Sequence, residues 1–218
     1  MSAWLNFAGF LLAFAAVFAA VVYIGNVLER RRTAAYTQFC AANGYQYVAD
    51  RPDPELDPVV PFSDQGHGRR WRHEISGQYN GVPFTAFEYR YAIGAGRSQQ
   101  SYTRALIRWT NIGATLPQFT LAPETFFTRI GQLLGWHDIQ FADDPEFSAT
   151  YVLKGEHEME VASFFSPQLR QQLAAMPGQH AAGAGSTLFW WRERGLPRPD
   201  RFAAFLAEGD QVRTILVS

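Results

Sequence analysis

The chain has 218 residues, 47% of them hydrophobic and 18% charged, a composition that excludes a largely disordered chain. Its 19 basic residues nearly balance its 20 acidic ones, which argues against nucleic acid as a general partner because phosphate binding requires surplus positive charge. The single cysteine, Cys40, excludes an intramolecular disulfide and suits a reducing compartment.

The first predicted element is an apolar helix. Residues Met1 to Leu28 contain no Asp, Glu, Lys, Arg or His. As a helix, the segment from Phe7 to Leu28 would extend about 33 Å, enough to cross a hydrocarbon core of about 30 Å. A cleavable signal peptide is the alternative, but the N-terminal flank lacks a basic residue and the apolar run is too long. We therefore predict a retained transmembrane anchor over residues 1–28.

The basic residues beside this segment predict its orientation. Arg30, Arg31 and Arg32 follow it almost directly, whereas its N-terminal flank has no arginine or lysine. The positive-inside rule then places the N-terminus outside and the rest of the chain in the cytoplasm. We predict a juxtamembrane helix over residues 29–44 and one cytoplasmic domain over residues 45–218.

One side of the predicted anchor consists of small residues. Gly9, Ala13, Ala16 and Ala20 recur at helical spacing and line one face. Faces of this kind let helix backbones approach closely in lipid, so we predict contact with a helix of a partner or of a second copy. The alternative is an alanine-rich anchor without a specific face, because alanine is also plentiful elsewhere on this helix.

The next elements indicate an antiparallel meander. A helix should end at Asn43-Gly44, and a short strand should follow at 45–49. Residues 50–61 hold four prolines and are interpreted as a linker or extended loop. Asn80-Gly81 predicts a hairpin between two strands, and a third strand should follow. The predicted strands are 71–79, 82–91 and 101–109.

The C-terminal half mixes helices with strands. Predicted helices cover 123–135, 156–165, 167–176 and 199–208, the last ended by Gly209; predicted strands cover 149–154, 186–192 and 212–217, with a loop at 179–185. Strands followed by a mixed set predict an α+β fold, here with one N-terminal transmembrane helix before an antiparallel sheet and several helices.

No pattern predicts catalysis. Gly94-x-Gly96-Arg97 lacks the Lys and Ser/Thr of a phosphate-binding loop and is interpreted as a turn. Residues 156–160 contain one histidine where a zinc protease helix needs two. The acidic residues Asp138, Asp143, Asp144 and Glu146 lack the spacing of a calcium loop. Cys40 is expected to be packed or acylated. We predict no catalytic residues, no metal site, no cofactor and no enzyme activity.

A second basic cluster lies in residues 67–73. Its arginines are Arg69, Arg70 and Arg72. Together with Arg30, Arg31 and Arg32, they could contact anionic lipid headgroups or an acidic partner surface. The alternative is a solvent-facing strand end.

Three segments, 116–124, 136–141 and 147–151, resemble an uncharacterised group of bacterial membrane-anchored proteins. The resemblance covers most of the predicted domain and implies a bacterial source but no chemistry. With the predicted anchor and orientation, the predicted location is the bacterial inner membrane. Separately, the plan of one N-terminal span and a cytoplasmic mixed domain is similar to the H subunit of photosynthetic reaction centres, an analogy of architecture alone.

Together these features predict a non-catalytic accessory or scaffold subunit. It would dock on a larger membrane protein complex, such as a respiratory or photosynthetic one, and cover its cytoplasmic face. A hetero-oligomer is favoured over a homodimer. One alternative is a membrane-tethered module that binds a lipid or a small ligand, and another is an enzyme with an unrecognised site.

Overall fold

The chain begins with one long helix. The structure is a computed structural model that describes residues 2–52, 55–130 and 136–218. Helix α1, Ser2–Asn43, is continuous and includes most of the predicted anchor and of the predicted juxtamembrane helix. It ends where Gly44 adopts a φ of +70°, as the Asn43-Gly44 pair predicted.

The predicted transmembrane span is wrong. Within the described part of the chain, no helix is long and apolar enough to cross a membrane. Among the described side chains of α1, the apolar ones from Phe14 onward lead directly into the charged residues Glu29, Arg30 and Arg31. The predicted single-pass anchor and the predicted inner-membrane location with an outside N-terminus are corrected on this finding.

The described residues form a nine-stranded sheet in which every paired strand is antiparallel. Its spatial order is β1-β2-β3-β4-β9-β8-β5-β7-β6. The strands are β1 Gln46–Pro52, β2 His67–Tyr79, β3 Val82–Ile93, β4 Gln100–Thr110, β5 Leu116–Ala122, β6 His137–Ile139, β7 Val152–Gly155, β8 Ala181–Gly185 and β9 Thr187–Arg192. The predicted α+β class with an antiparallel sheet is therefore confirmed.

The predicted hairpin and meander form β2, β3 and β4. Asn80 and Gly81 adopt φ values of +50° and +80° between Tyr79 and Val82, which pair directly across the turn. Positive φ at both central positions matches the right-handed twist of the two strands, which is why Asn-Gly predicted the turn correctly.

In the described part of the chain, five further α-helices follow α1: α2 Glu124–Ile130, α3 Pro145–Thr150, α4 Glu158–Phe164, α5 Pro167–Ala174 and α6 Pro199–Val217. Two predictions in this region are wrong. Residues 199–217 form one helix and not a helix followed by a strand, and residues 181–185 form strand β8 and not a loop. The predicted cap of α5 is confirmed, since Ser166 Oγ accepts from the backbone N–H of Leu169 at 3.3 Å.

Apolar residues are buried on both faces of the sheet. On one face, α1 and α6 pack together through Phe39 and Phe202, whose ring centroids lie 5.5 Å apart, and cover Trp190. On the other face, Val59, Val60 and Phe62 are buried against the sheet. Residues 50–52 belong to β1, and residues 55–61 form a loop whose apolar side chains belong to a core. Of the two alternatives for residues 50–61, the linker is therefore wrong and the loop is confirmed for the part after β1.

Candidate functional site

The strongest polar cluster lies where α1 crosses the sheet, and Glu88 of β3 is its centre. This carboxylate is 1% exposed. Its Oε2 accepts from Arg32 Nη2 of α1 at 2.8 Å and from the backbone N–H of Leu196 at 3.1 Å. Its Oε1 accepts from Arg90 Nε at 2.7 Å. Glu88 therefore ties three separate parts of the chain together.

The Glu88 carboxylate is charged and fully paired. Burial alone would raise its pKa, but the guanidinium groups of Arg32 and Arg90 outweigh that effect and hold the pKa below its ordinary value. A buried carboxylate with this many donors has no free proton to exchange at neutral pH. Its arrangement suits a structural clamp and not a general acid.

A second set of contacts fixes α1 to the segment before α6. Arg32 Nη2 donates to the carbonyl of Leu196 at 2.9 Å, and the Tyr36 hydroxyl donates to the carbonyl of Pro197. Burial raises the pKa of Tyr36 to about 12, so this hydroxyl keeps its proton and remains a donor. We call the set Glu29, Arg32, Tyr36, His73 and Glu88 the α1 junction.

His73 supplies the contact of the α1 junction with strand β2. It adopts a φ of +53° where the register of β2 against β3 shifts, and its side chain is fully buried. Nδ1 lies 2.7 Å from the Tyr47 hydroxyl, and Nε2 lies 3.2 Å from a Glu29 oxygen. Burial, and then the charge of Arg32, lower the pKa of His73 to about 4.

The contact of His73 with Glu29 is therefore not an ion pair at neutral pH, although the two atoms are close. The cation that pairs with Glu29 is Arg72, whose Nη2 lies 2.5 Å from the same oxygen. The charged groups of the junction are thus each paired, Arg32 with Glu88 and Glu29 with Arg72, and these pairs hold α1 at one angle to the sheet.

Beyond the junction, the N-terminal part of α1 exposes apolar side chains. We call residues 14–28 the apolar arm. Phe14 is 65% exposed and Phe18 64% exposed. The other large exposed side chains of the arm are Val17, Val21, Val22, Tyr23, Ile24 and Leu28. They point to several sides of the helix, so the arm has no polar face to give to water.

The predicted small-residue face is described only in part. Ala16 and Ala20 are exposed on the apolar arm. Gly9 and Ala13 lie on α1, but their surroundings fall outside the described side chains. Contact of this face with a partner helix stays a prediction.

The six arginines predicted to contact headgroups or an acidic partner occupy different environments. Arg32 and Arg72 are engaged in the α1 junction. Arg70 pairs with Asp50 at 3.4 Å on the exposed strand edge, and Arg69 donates to the carbonyl of Ser63 at 3.2 Å.

Arg30 and Arg31 are exposed on α1. They lie beside the junction and not within it. A headgroup or acidic-partner role for the six arginines stays a prediction.

The sequence interpretation missed Glu88, His73 and Tyr36. A signal for Glu88 was present: it follows Phe84 and Ala86 at alternate positions of β3, so it lies on the buried side of the strand. A carboxylate in that position requires a charged partner. Nothing in the sequence pointed to Arg32 of the helix as that partner.

The other sequence candidates have structural roles. Cys40 is buried, and burial raises the pKa of its thiol to about 11, so it is packed and does not supply a thiolate at neutral pH. The acidic loop contacts a buried arginine: Arg170 lies 2.8 Å from Asp143 and 2.9 Å from Asp144. Across the described residues, no group of three His, Cys, Asp or Glu side chains could hold a metal ion.

A cavity of about 870 Å³ lies beside the α1 junction, at the start of α6. Arg194, Arg198 and Arg201 contribute to its wall. Pro197, Ala204 and Phe205 supply apolar surface. The cavity is joined to the junction because Pro197 accepts the hydrogen bond from Tyr36.

Comparison with known proteins finds a likeness of fold. No family model and no curated protein matches the chain. A solved structure, the mycobacterial trehalose monomycolate transport factor A, TtfA, matches with a TM-score of 0.53. The match covers 86% of this chain and 95% of that one at 8% sequence identity.

At that identity the likeness shows a shared fold alone. The missing family match agrees with the predicted uncharacterised group. The analogy with the H subunit of photosynthetic reaction centres gains no support from these comparisons.

Proposed function

We propose that this chain is a non-catalytic accessory factor in membrane-associated transport, and that it docks on a larger membrane protein complex through the apolar arm. One observation carries the proposal: the arm exposes apolar side chains on several sides and is nevertheless held rigidly by the α1 junction. The shared fold with a transport factor supports the same class of role.

The exposed side chains explain why the arm requires a partner. Covering one large apolar side chain is worth about 1.5–3 kcal/mol, so several in one segment favour binding to an apolar surface strongly. The α1 junction adds a geometric constraint, since a helix clamped to its domain presents that domain at a defined angle. This suits a scaffold on a partner of different sequence better than a flexible tether.

The absence of catalysis is part of the proposal. In the α1 junction, Tyr36, His73 and Glu88 are buried. The partly exposed Arg32 and Glu29 are paired with Glu88 and Arg72, which leaves no charged group of the junction available to a substrate. Cys40 and His73 have pKa values displaced away from neutrality by burial, so neither suits proton transfer near pH 7.

Affinity purification tests the docking. The tagged full-length chain is purified from its native host in mild detergent, and co-purifying proteins are identified by mass spectrometry. We expect a membrane protein in a fixed ratio to the tagged chain. A lone monomer without such a protein contradicts the proposal.

A pair of double variants tests the face used. Ala16→Leu with Ala20→Leu adds bulk to the small-residue face, whereas Ala15→Leu with Ala19→Leu adds the same bulk on another side of the helix. We expect the first pair to release the partner and the second to retain it. Equal behaviour of the two pairs rules out this face as the contact.

A further inference from the structure

The cavity at the start of α6 contains positive charge that the described carboxylates neutralise only in part. Arg194, Arg198 and Arg201 are exposed on its wall, and no described carboxylate lies within ion-pair distance of their guanidinium groups. Three cations on one concave wall repel one another. An anion in the cavity would relieve that repulsion.

Neighbouring arginines form ion pairs with carboxylates, unlike the three arginines of the cavity wall. Arg32 and Arg90 pair with Glu88, Arg104 pairs with Glu193 at 2.8 Å, and Arg192 pairs with Glu208. At this end of the fold, Glu88, Glu193 and Glu208 are therefore already engaged with other arginines. The three arginines of the cavity wall are a local surplus.

Two carboxylates also line the cavity and limit the surplus. Glu208 is engaged by Arg192, so its charge is already compensated. Asp200 lies in the first turn of α6 between two of the arginines in sequence. Three cations against this one uncompensated carboxylate still leave net positive charge on the wall.

The shape and the guanidinium chemistry together define the ligand class. About 870 Å³ is within the range of small-molecule sites, and Pro197, Ala204 and Phe205 offer apolar surface beside the charges. Guanidinium groups bind phosphate oxygens through paired hydrogen bonds, and a phosphate group can accept from several of them at once. We propose that this cavity binds a phosphate group, either as free phosphate or as the headgroup of an anionic lipid.

The α1 junction places this cavity next to the arm. Leu196 and Pro197 accept hydrogen bonds from Arg32 and Tyr36, so the cavity wall is bonded to α1 about one to two helical turns from Leu28. A lipid headgroup in the cavity would have apolar surface of α1 close by for its chains. This proposal does not depend on docking to a membrane protein complex.

Calorimetric titration of the full-length chain in an uncharged detergent tests the site. The chain is titrated separately with inorganic phosphate, with short-chain phosphatidylglycerol and with short-chain phosphatidylcholine, the last as the zwitterionic comparison. Binding of inorganic phosphate identifies a site for the free anion. Binding of phosphatidylglycerol without phosphate or phosphatidylcholine identifies a headgroup site. The proposal is overturned if none of the three ligands binds. It is also overturned if the two lipids bind equally and inorganic phosphate does not bind.

Variants locate the binding. Arg198→Gln with Arg201→Gln should weaken it at least tenfold because two charge-assisted hydrogen bonds are lost. Asp200→Asn removes the opposing carboxylate and should strengthen it by about threefold. Arg97→Gln removes an exposed arginine outside the cavity and should leave the affinity unchanged.

Thermal unfolding of each variant establishes that it is folded. Equal weakening by Arg97→Gln and by the Arg198 and Arg201 double variant would assign the binding to general charge and overturn the site. A loss of affinity in Asp200→Asn would do the same, because removing a negative charge cannot weaken an anion site directly.

Discussion

Glu88 links α1 to the sheet through its hydrogen bond with Arg32. Substitution by glutamine removes its charge with little change of shape. In Glu88→Gln, Arg32 and Arg90 lose their common carboxylate in a buried position. Both arginines are partly exposed, so water recovers some of the loss, and we expect the free energy of unfolding to fall by about 2 kcal/mol. Urea denaturation followed by circular dichroism measures the change.

The matched control is Asp50→Asn, which removes an ion pair between two exposed side chains. We expect a change below about 0.5 kcal/mol there. If Glu88→Gln costs no more than Asp50→Asn, the α1 junction is not held by its charges.

Two buried histidines make stability depend on pH. Burial lowers the pKa of His73 and that of His180 to about 4, whereas an unfolded histidine titrates near 6.5. Between these values the unfolded chain binds protons that the folded chain does not. The stabilisation is therefore complete above about pH 6.5 and is lost progressively as the pH falls towards 4.

We expect the free energy of unfolding to fall by up to about 1.4 kcal/mol per pH unit for each histidine below pH 6. In His180→Gln the histidine contribution to this slope should halve. Urea denaturation at pH 7.5, 6 and 5 measures it, and His157→Gln, at an exposed position, is the control. A slope unchanged in His180→Gln contradicts the assignment.

Helix α6 shows why a glycine misled the sequence interpretation. Gly209 was predicted to end a helix, yet it lies in the middle of Pro199–Val217. A Cβ on Gly209 would lie 2.8 Å from Ile107 Cδ1 and 3.0 Å from Trp190 Cε3. The glycine is there because the helix lies close against the sheet, a reason that no local pattern contains.

A pair of glycine substitutions tests this account. Alanine normally stabilises a helix interior relative to glycine by up to about 1 kcal/mol. Gly209→Ala should instead destabilise the protein by about 1–3 kcal/mol through overpacking. Gly25→Ala in α1, where no atom lies within 4 Å, should cause no loss. Chemical denaturation measures both, and a stabilised Gly209→Ala variant would refute the close packing.

At the scale of the whole molecule, we expect the apolar arm to contribute little to the stability of the rest of the protein. Deleting residues 2–25 removes exposed side chains and keeps Arg32, Tyr36 and the other groups of the α1 junction. We expect the melting temperature to change by less than about 3 °C. Deleting residues 2–37 removes Arg32 and Tyr36, and we expect a loss of several kcal/mol. Thermal unfolding of both truncations measures the difference; similar melting temperatures would contradict the role of the junction.

Local patterns predicted the local features of this fold. Asn80-Gly81 predicted the hairpin, Asn43-Gly44 the end of α1, and Ser166 the start of α5, because each depends on the conformation of a few adjacent residues. Strand β8 was missed because it contains the small residues Ala181, Ala182 and Gly183. Their small size is explained by packing in the folded chain and not by a local pattern. A Cβ on Gly183 would lie 2.7 Å from Leu116 and from Phe119 of the neighbouring strand.

The candidate site was less predictable than the fold. The α1 junction joins residues such as Arg32 and Glu88 that lie far apart in the sequence, and the three arginines of the cavity differ from the paired ones only through their three-dimensional neighbours. Composition identified an apolar N-terminal segment but could not show how it is attached to the domain. That attachment distinguishes a scaffold from a tether.

Because α1 is continuous, the α1 junction is the pivot about which the N-terminal part of the helix would rotate. Ser2 lies about 45 Å along the helix axis from Arg32, so a rotation of 10° at the pivot would displace the far end by about 8 Å. The clamp at Glu88 resists such rotation, and anything that loosens it would be amplified at the tip. The angle between the apolar arm and the sheet therefore depends on a few paired charges at the α1 junction.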